Sequence, residues 1–326
     1  MTAAAPSATA KGFEEVQQSL SRDVIDVTQD VACVPLSIVN AYLIGEPGAG
    51  DREWTLVDAG LFFSAGKIIS AAAERFGPKS RPAGIVLTHG HFDHVGAVKE
   101  LAELWDCPVY AHPLEMPYIT GKSSYPPPDP TVGGGAMSLM SPLYPRGPID
   151  LGNRAFQLPV DRTIPDLPGW RWVPTPGHSP GHISLFRESD RVLIAGDAIV
   201  TTKQESLLGA LLQPLVLQGP PKYFTPDWDA ARESLREINE LRPRIAATGH
   251  GKPMSGVELR EGLEQLAEHF DEVARPRTGR YINKPAETDV NGVKSLPKAI
   301  RPNLLLYLTA GLVVGMIVWS YTRKKD

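Results

Sequence analysis

Thr88-His89-Gly90-His91-Phe92-Asp93-His94-Val95-Gly96 gathers three histidines and an aspartate within six residues, directly after the apolar run Gly84-Ile85-Val86-Leu87. A short apolar run that spills into a glycine-flanked polar cluster predicts a buried strand ending in a loop, where side chains can converge on one point. Imidazole nitrogens and carboxylate oxygens are the donors that divalent metals take, so His89, His91, Asp93 and His94 are candidate ligands.

Working outward, the same strand-then-loop arrangement recurs. Asp58 follows an apolar run at 54–57, in Val57-Asp58-Ala59-Gly60. His178 lies in Thr175-Pro176-Gly177-His178-Ser179-Pro180-Gly181-His182, after a strand predicted at 170–173. Asp197 follows 192–195 as Gly196-Asp197, and His250 follows 245–248 as Gly249-His250. Glycine next to each ligand relieves crowding where the backbone nears the site. Further strands are expected at 24–27, 37–44, 108–111 and 182–186, and helices at 67–75, 95–104, 207–217, 227–241 and 256–273. Strands and helices alternating in two halves imply sheets covered by helices. Residues 121–154 interrupt the pattern with Pro126-Pro127-Pro128, Gly133-Gly134-Gly135 and an apolar piece at 137–143. A long irregular stretch of this kind, with apolar content, reads as a lid over a binding site.

On the residues Asp58, His89 to His94, His178, Asp197 and His250, in that order, the chain resembles the metallo-β-lactamase-fold superfamily over roughly 37–252. The resemblance implies an α/β fold, a four-layer αβ/βα sandwich with metals at one edge between two sheets. It further implies that His89, His91 and His178 hold one metal, that Asp93, His94 and His250 hold a second, and that Asp197 bridges them. Asp93 is the candidate catalytic carboxylate, and Asp58 would orient a ligand loop from behind. The cofactors so implied are two divalent metal ions: a nitrogen-rich set with carboxylates and no thiolate suits Zn2+, with Fe and Mn as alternatives. The antibiotic-degrading members typically carry cysteine at the bridging position, whereas this chain has Asp197, and neither Cys33 nor Cys107 can substitute by order. The set is most similar to the hydroxyacylglutathione hydrolase and lactonase branch, which implies hydrolysis of an ester, thioester or lactone by a hydroxide between the metals. A metal-dependent phosphodiesterase and a mononuclear iron persulfide oxygenase remain alternatives.

Size and charge bound the rest. The chain has 326 residues, 42% of them apolar, enough for a sizeable core, and a net charge of −4 that argues against nucleic acid as a partner. Two cysteines without a metal or redox motif read as buried small hydrophobes. The expected organisation is a flexible N-terminus (1–22), the catalytic domain (23–273), a basic linker (274–302), a transmembrane helix (303–322) and a short tail (323–326). The run from Pro302 to Thr322 carries no charge, and at 1.5 Å per residue it spans about 31 Å, the thickness of a bilayer core. Trp319, Tyr321 and the cations Arg323, Lys324 and Lys325 mark one membrane edge. The linker's basic excess and the absence of a secretory signal imply a single-pass, tail-anchored protein with its catalytic domain in the cytoplasm. Gly311 and Gly315 offer a helix face to a second copy, giving a homodimer.

The substrate must be met by the irregular stretches. Met137, Leu139, Met140, Leu143 and Tyr144 in one, and Leu207, Leu208, Leu211, Leu212, Leu215 and Leu217 in another, predict an apolar roof and a lipophilic small-molecule substrate. Tyr223 and Lys203 are the candidates for orienting a carbonyl oxygen. His182 reads as a structural hydrogen-bonding residue, His112 as a residue behind the ligands, and His269 as solvated.

Overall fold

The computed structural model describes residues 24–300. Its first sheet takes β1 (Ile25–Thr28), β2 (Val31–Leu36), β3 (Val39–Ile44), β4 (Thr55–Val57), β5 (Gly84–Val86), β6 (Val109–Ala111) and β7 (Ala155–Gln157), in that spatial order. The first four strands run antiparallel, and β4 to β7 are parallel. The second sheet is ordered β12 (Met254–Ser255), β11 (Ile245–Thr248), β10 (Val192–Gly196), β9 (Ile183–Arg187), β8 (Trp170–Pro174), with β10 and β11 its parallel pair.

Alternation along each strand builds three cores. Ala32, Val34 and Leu43 face outward onto α1 (Ala65–Phe76) and α3 (Val98–Trp105), which bury Ile68, Phe76, Leu101 and Trp105 against them. Their sheet neighbours Val31, Cys33, Tyr42 and Ile44 face inward and meet Leu185, Val192 and Ile194 of the second sheet. On the far side Phe186, Leu193 and Ala195 pack on α7 (Trp228–Leu241) and α8 (Gly256–Glu268) through Trp228, Leu235, Ile238, Leu259 and Leu263. The result is helix, sheet, sheet, helix: the four-layer sandwich expected from the sequence. Cys33 and Cys107 are both buried, as read.

Several element boundaries differ from expectation, each for a visible reason. The strand expected over 37–44 is β3, starting at Val39, and the preceding residues form an unexpected partner strand, β2, joined to it by a hairpin whose turn holds Ser37 at φ 67°. The helix expected at 95–104 is split into α2 (Phe92–Val95) and α3. Here His94 O accepts from Ala59 N and Gly96 N donates to Gly60 O, each at 2.7 Å, so these backbone groups are spent on another loop. The helix expected at 207–217 stops as α6 (Leu207–Leu212) at Gln213, whose φ of 48° is left-handed, just before Pro214. The helix expected at 256–273 divides at His269 into α8 and α9 (Phe270–Val273).

Residues 274–300, read from sequence as a linker, are built against the domain. Tyr281 is buried and donates its hydroxyl to Pro127 O at 2.6 Å, and Arg280 N donates to Asp129 Oδ2. The hairpin β13 (Glu287–Asp289) and β14 (Gly292–Ser295) follows, and Val293 N donates to Ser123 Oγ. This strap therefore braces the base of the irregular segment 121–154. No helix among the described residues is long and apolar enough to cross a membrane. The N-terminal stretch and the apolar run 303–322 lie outside the described residues, as do Gly311 and Gly315.

Candidate metal centre

Every ligand candidate sits where a strand runs out at the same edge of the sandwich. Asp58 leaves β4 and the 89–94 cluster leaves β5; His178 follows β8, Asp197 follows β10 and His250 follows β11. Three sets of donor atoms converge: His89, His91 and His178; His89, His94 and Asp197; Asp93, His94 and His250. His91 Nδ1 is 2.9 Å from His178 Nε2. Asp197 Oδ2 is 3.1 Å from His250 Nε2 and 3.4 Å from His178 Nε2, and its Oδ1 is 3.6 Å from His94 Nε2. Asp93 Oδ2 is 3.5 Å from His250 Nε2. Two donors bound at about 2.0–2.1 Å to one tetrahedral ion stand about 3.4 Å apart, so these gaps have the scale of a coordination shell.

The donor set fits metal by a stricter test. His89 Nε2, His94 Nε2 and Asp197 Oδ1 are buried without a hydrogen-bond partner, an arrangement that is costly unless an ion completes it. The opposite ring nitrogens are taken. His94 Nδ1 pairs with Asp58 Oδ2 at 2.9 Å, His250 Nδ1 with Ile38 O at 2.6 Å, and His89 Nδ1 with Thr88 Oγ1 at 3.1 Å. Such outer partners hold the ring and leave Nε2 free for the ion. Asp58 also accepts from Thr88 N and Thr88 Oγ1, so it does stand behind the ligands. It does so at φ 59°, a strained backbone conformation that aspartate tolerates better than most residues.

Electrostatics sort the histidines into two kinds. Burial, helped by neighbouring imidazoles, holds His89 and His178 well below the usual histidine range and His91 down to about 3. These are neutral rings with a lone pair to give. His94 and His250 go the other way: burial opposes their charge, but neighbouring carboxylates together outweigh it, Asp197 with Asp58 at His94 and Asp197 with Asp93 at His250. Asp197 is held well below the carboxylate range by those two rings in spite of its burial, and burial raises Asp93.

His182 spends both nitrogens on structure, accepting from Asp197 N at 2.9 Å and pairing with Thr175 Oγ1 at 2.8 Å, so it is the structural residue expected. His112 accepts from Leu114 N and belongs to none of the converging sets. Tyr223 is buried, whereas Lys203 is exposed on the outside of its turn. Of the predicted roof, Met137, Met140, Tyr144 and Leu207 join Val132, Ala210, Tyr223, Phe224 and Phe92 in one cluster that meets the His91 ring through Phe224. Leu143, Leu208, Leu212 and Leu215 are instead exposed, and Leu217 packs on another core. His91 is held between the Tyr125 and Phe224 rings, with centroids at 4.5 and 4.7 Å. Sequence reasoning missed Glu115 and Tyr125. Both lie outside any ligand motif and carry no local signal.

A family model described as the metallo-beta-lactamase superfamily matches residues 34–250. The chain belongs to that superfamily. Among its relatives, the probable metallo-hydrolase YflN of Bacillus subtilis is 45% identical over 248 residues, covering 76% of this chain and 94% of that one. The probable metallo-hydrolase YybB of the same organism is 30% identical over 220 residues, 67% of this chain and 84% of its own. A solved beta-lactamase domain protein from Burkholderia ambifaria shares the fold, with a TM-score of 0.53 at 22% identity over 76% of each chain. The metallo-β-lactamase fold and the converging ligands agree: this is a metal-dependent hydrolase.

Proposed function

We propose that the enzyme hydrolyses an ester, thioester or lactone with an apolar acyl portion, at a pair of divalent ions. One observation carries the reading: His and Asp donors alone, sharing Asp197, converge beneath an aromatic roof. His89, His91 and His178 would hold one ion and Asp93, His94 and His250 the other. Bound there, such a pair supplies Lewis-acid polarisation of a carbonyl and a water acidic enough to attack at neutral pH. The protein supplies the rest. Asp93 is the most exposed of the ligands, at 8%, and its charge reaches both Tyr144 and Tyr223. It would be the carboxylate that accepts a proton from the attacking water. Tyr223, hydrogen-bonded to Gln204, would orient the carbonyl oxygen. The roof around Met137, Tyr144 and Phe224 would exclude water from the acyl chain.

A lipophilic substrate is further supported by the outer side of the same segments, where Leu143, Leu208, Leu212 and Leu215 are exposed. With the uncharged run 303–322 as a tail anchor in the membrane, this face would meet substrate at the bilayer, the catalytic domain lying on the cytoplasmic side. The first test is elemental analysis of the purified protein beside assays with short- and long-chain thioesters and lactones and with a phosphodiester. Two metal equivalents with thioester or lactone turnover that rises with chain length is the expected result. Turnover of the phosphodiester alone, or a single iron without hydrolysis, would overturn it.

A further inference from the structure

Glu115 is fully buried, on the turn between β6 and α4 (Met116–Ile119), and it accepts four hydrogen bonds. Its Oε2 takes Gly90 N, at 3.0 Å, and the Tyr125 hydroxyl. Its Oε1 takes Ser179 Oγ at 2.8 Å and Gly181 N at 2.7 Å. Gly90 separates His89 from His91, and Ser179 follows His178. Each oxygen of one carboxylate is thus assigned to one ligand loop, and the loops come from different sheets. A Cβ at Gly90 would stand 2.6 Å from the Tyr125 hydroxyl, and one at Gly181 2.9 Å from Glu115 Cγ, so both loops approach only because glycine lets them. Tyr125 extends the contact: it stacks on Tyr118 with centroids 3.9 Å apart and meets the His91 ring.

We propose that Glu115 is the positioning residue of the His89–His91–His178 half of the centre. It fixes the spacing of two ligand loops and thereby sets how tightly that half holds its ion. An inward carboxylate costs desolvation, and four donors offset the cost only in one arrangement of the loops, so the arrangement is specified. His91 Nδ1 and His178 Nε2 are already 2.9 Å apart, and the ion need not organise them. The Asp93–His94–His250 half hangs on other supports, Asp58 and Ile38 O. Asp58 also reaches His89 through Thr88, whereas on the ligand loops Glu115 bonds only beside His89, His91 and His178, so its loss acts on that half.

This inference rests on the two-ion reading, and the experiment separates them. Metal-free full-length protein, wild type and Glu115→Gln, is titrated with cobalt(II), following visible absorption with a competing chelator. A thermal melt of each metal-free protein accompanies the titration. Fewer than two equivalents in the wild type would sink the two-ion reading itself. With two, Glu115→Gln is expected to keep one at wild-type affinity and to bind the other ten- to a hundredfold more weakly, because an amide turns a donor towards one loop. Unchanged affinities, or equal weakening of both equivalents, would overturn the proposal, and so would a lower melting temperature with an unchanged titration. Should the glutamine variant not fold, Ser179→Ala removes one donor from Oε1. Several-fold weakening of a single equivalent supports the proposal, and no change overturns it.

Discussion

At the residue scale the site depends on atoms that never touch substrate. Asp58 accepts from Thr88 N, Thr88 Oγ1 and His94 Nδ1. Asp58→Asn keeps a side chain that tolerates the left-handed backbone but replaces an acceptor with a donor. It should weaken the ion bound through His94 ten- to a hundredfold, measured by chelator competition, with the far-UV dichroism of the fold retained. Retained wild-type affinity would remove Asp58 from its orienting role. Asp197→Ala is harsher: it removes the carboxylate that His94, His178 and His250 all face, and hydrolysis should fall below detection. The ligands themselves were legible in the sequence, because each stands in a glycine-flanked cluster at the end of an apolar run. Glu115 was not, since its partners lie 10 to 66 residues away and no local pattern records them.

At the element scale, one ion-pair group ties the two sheets at a point away from the ligand loops. Arg187, on β9, reaches Asp30 in the β1–β2 turn and Asp190, at 2.9 and 2.7 Å from its Nη2, while its guanidinium lies 4.7 Å from the Trp170 ring. Hydrogen bonds from Arg187 hold both carboxyls below the ordinary aspartate value. A lowered folded-state value means the contribution is present above the unfolded value, about 3.9, and is lost as pH falls through the folded one. Asp30→Asn should cost about 1 kcal/mol at pH 7, after allowance for solvent screening. The gap between wild type and variant should narrow below about pH 4, in urea melts at both pH values. A gap that widens in acid would contradict the pairing. Most elements were readable from period and punctuation. The β2–β3 hairpin was not, because it reverses on Ser37 with no glycine, asparagine or proline in the turn to mark it.

At the scale of the whole molecule, the strap at 274–300 shows that the domain continues past Val273. A chain ended after Ile300 keeps Tyr281, Arg280 and the β13–β14 hairpin on the lid base, and should retain metal and activity. One ended after Val273 loses a buried tyrosine and the Arg280 bond to Asp129 Oδ2, a cost of about 3 kcal/mol or more, and hydrogen exchange across 121–144 should quicken. Equal melting temperatures for the two would refute the bracing role. The ligands, moreover, are divided between the sheets: His89, His91, Asp93 and His94 come from the first, and His178, Asp197 and His250 from the second. An ion held by both works as a rivet through the sandwich. Saturating metal at a thousand times its dissociation constant should add about 4 kcal/mol to unfolding, visible as a melting shift on chelation. Conversely, easing the two leaves apart would part the ligands of each ion and speed its loss. The half-life of the loaded enzyme in chelator is thus a clock for breathing of the entire sandwich, and substitutions far from any ligand, in the core between the sheets, should be able to make it run faster.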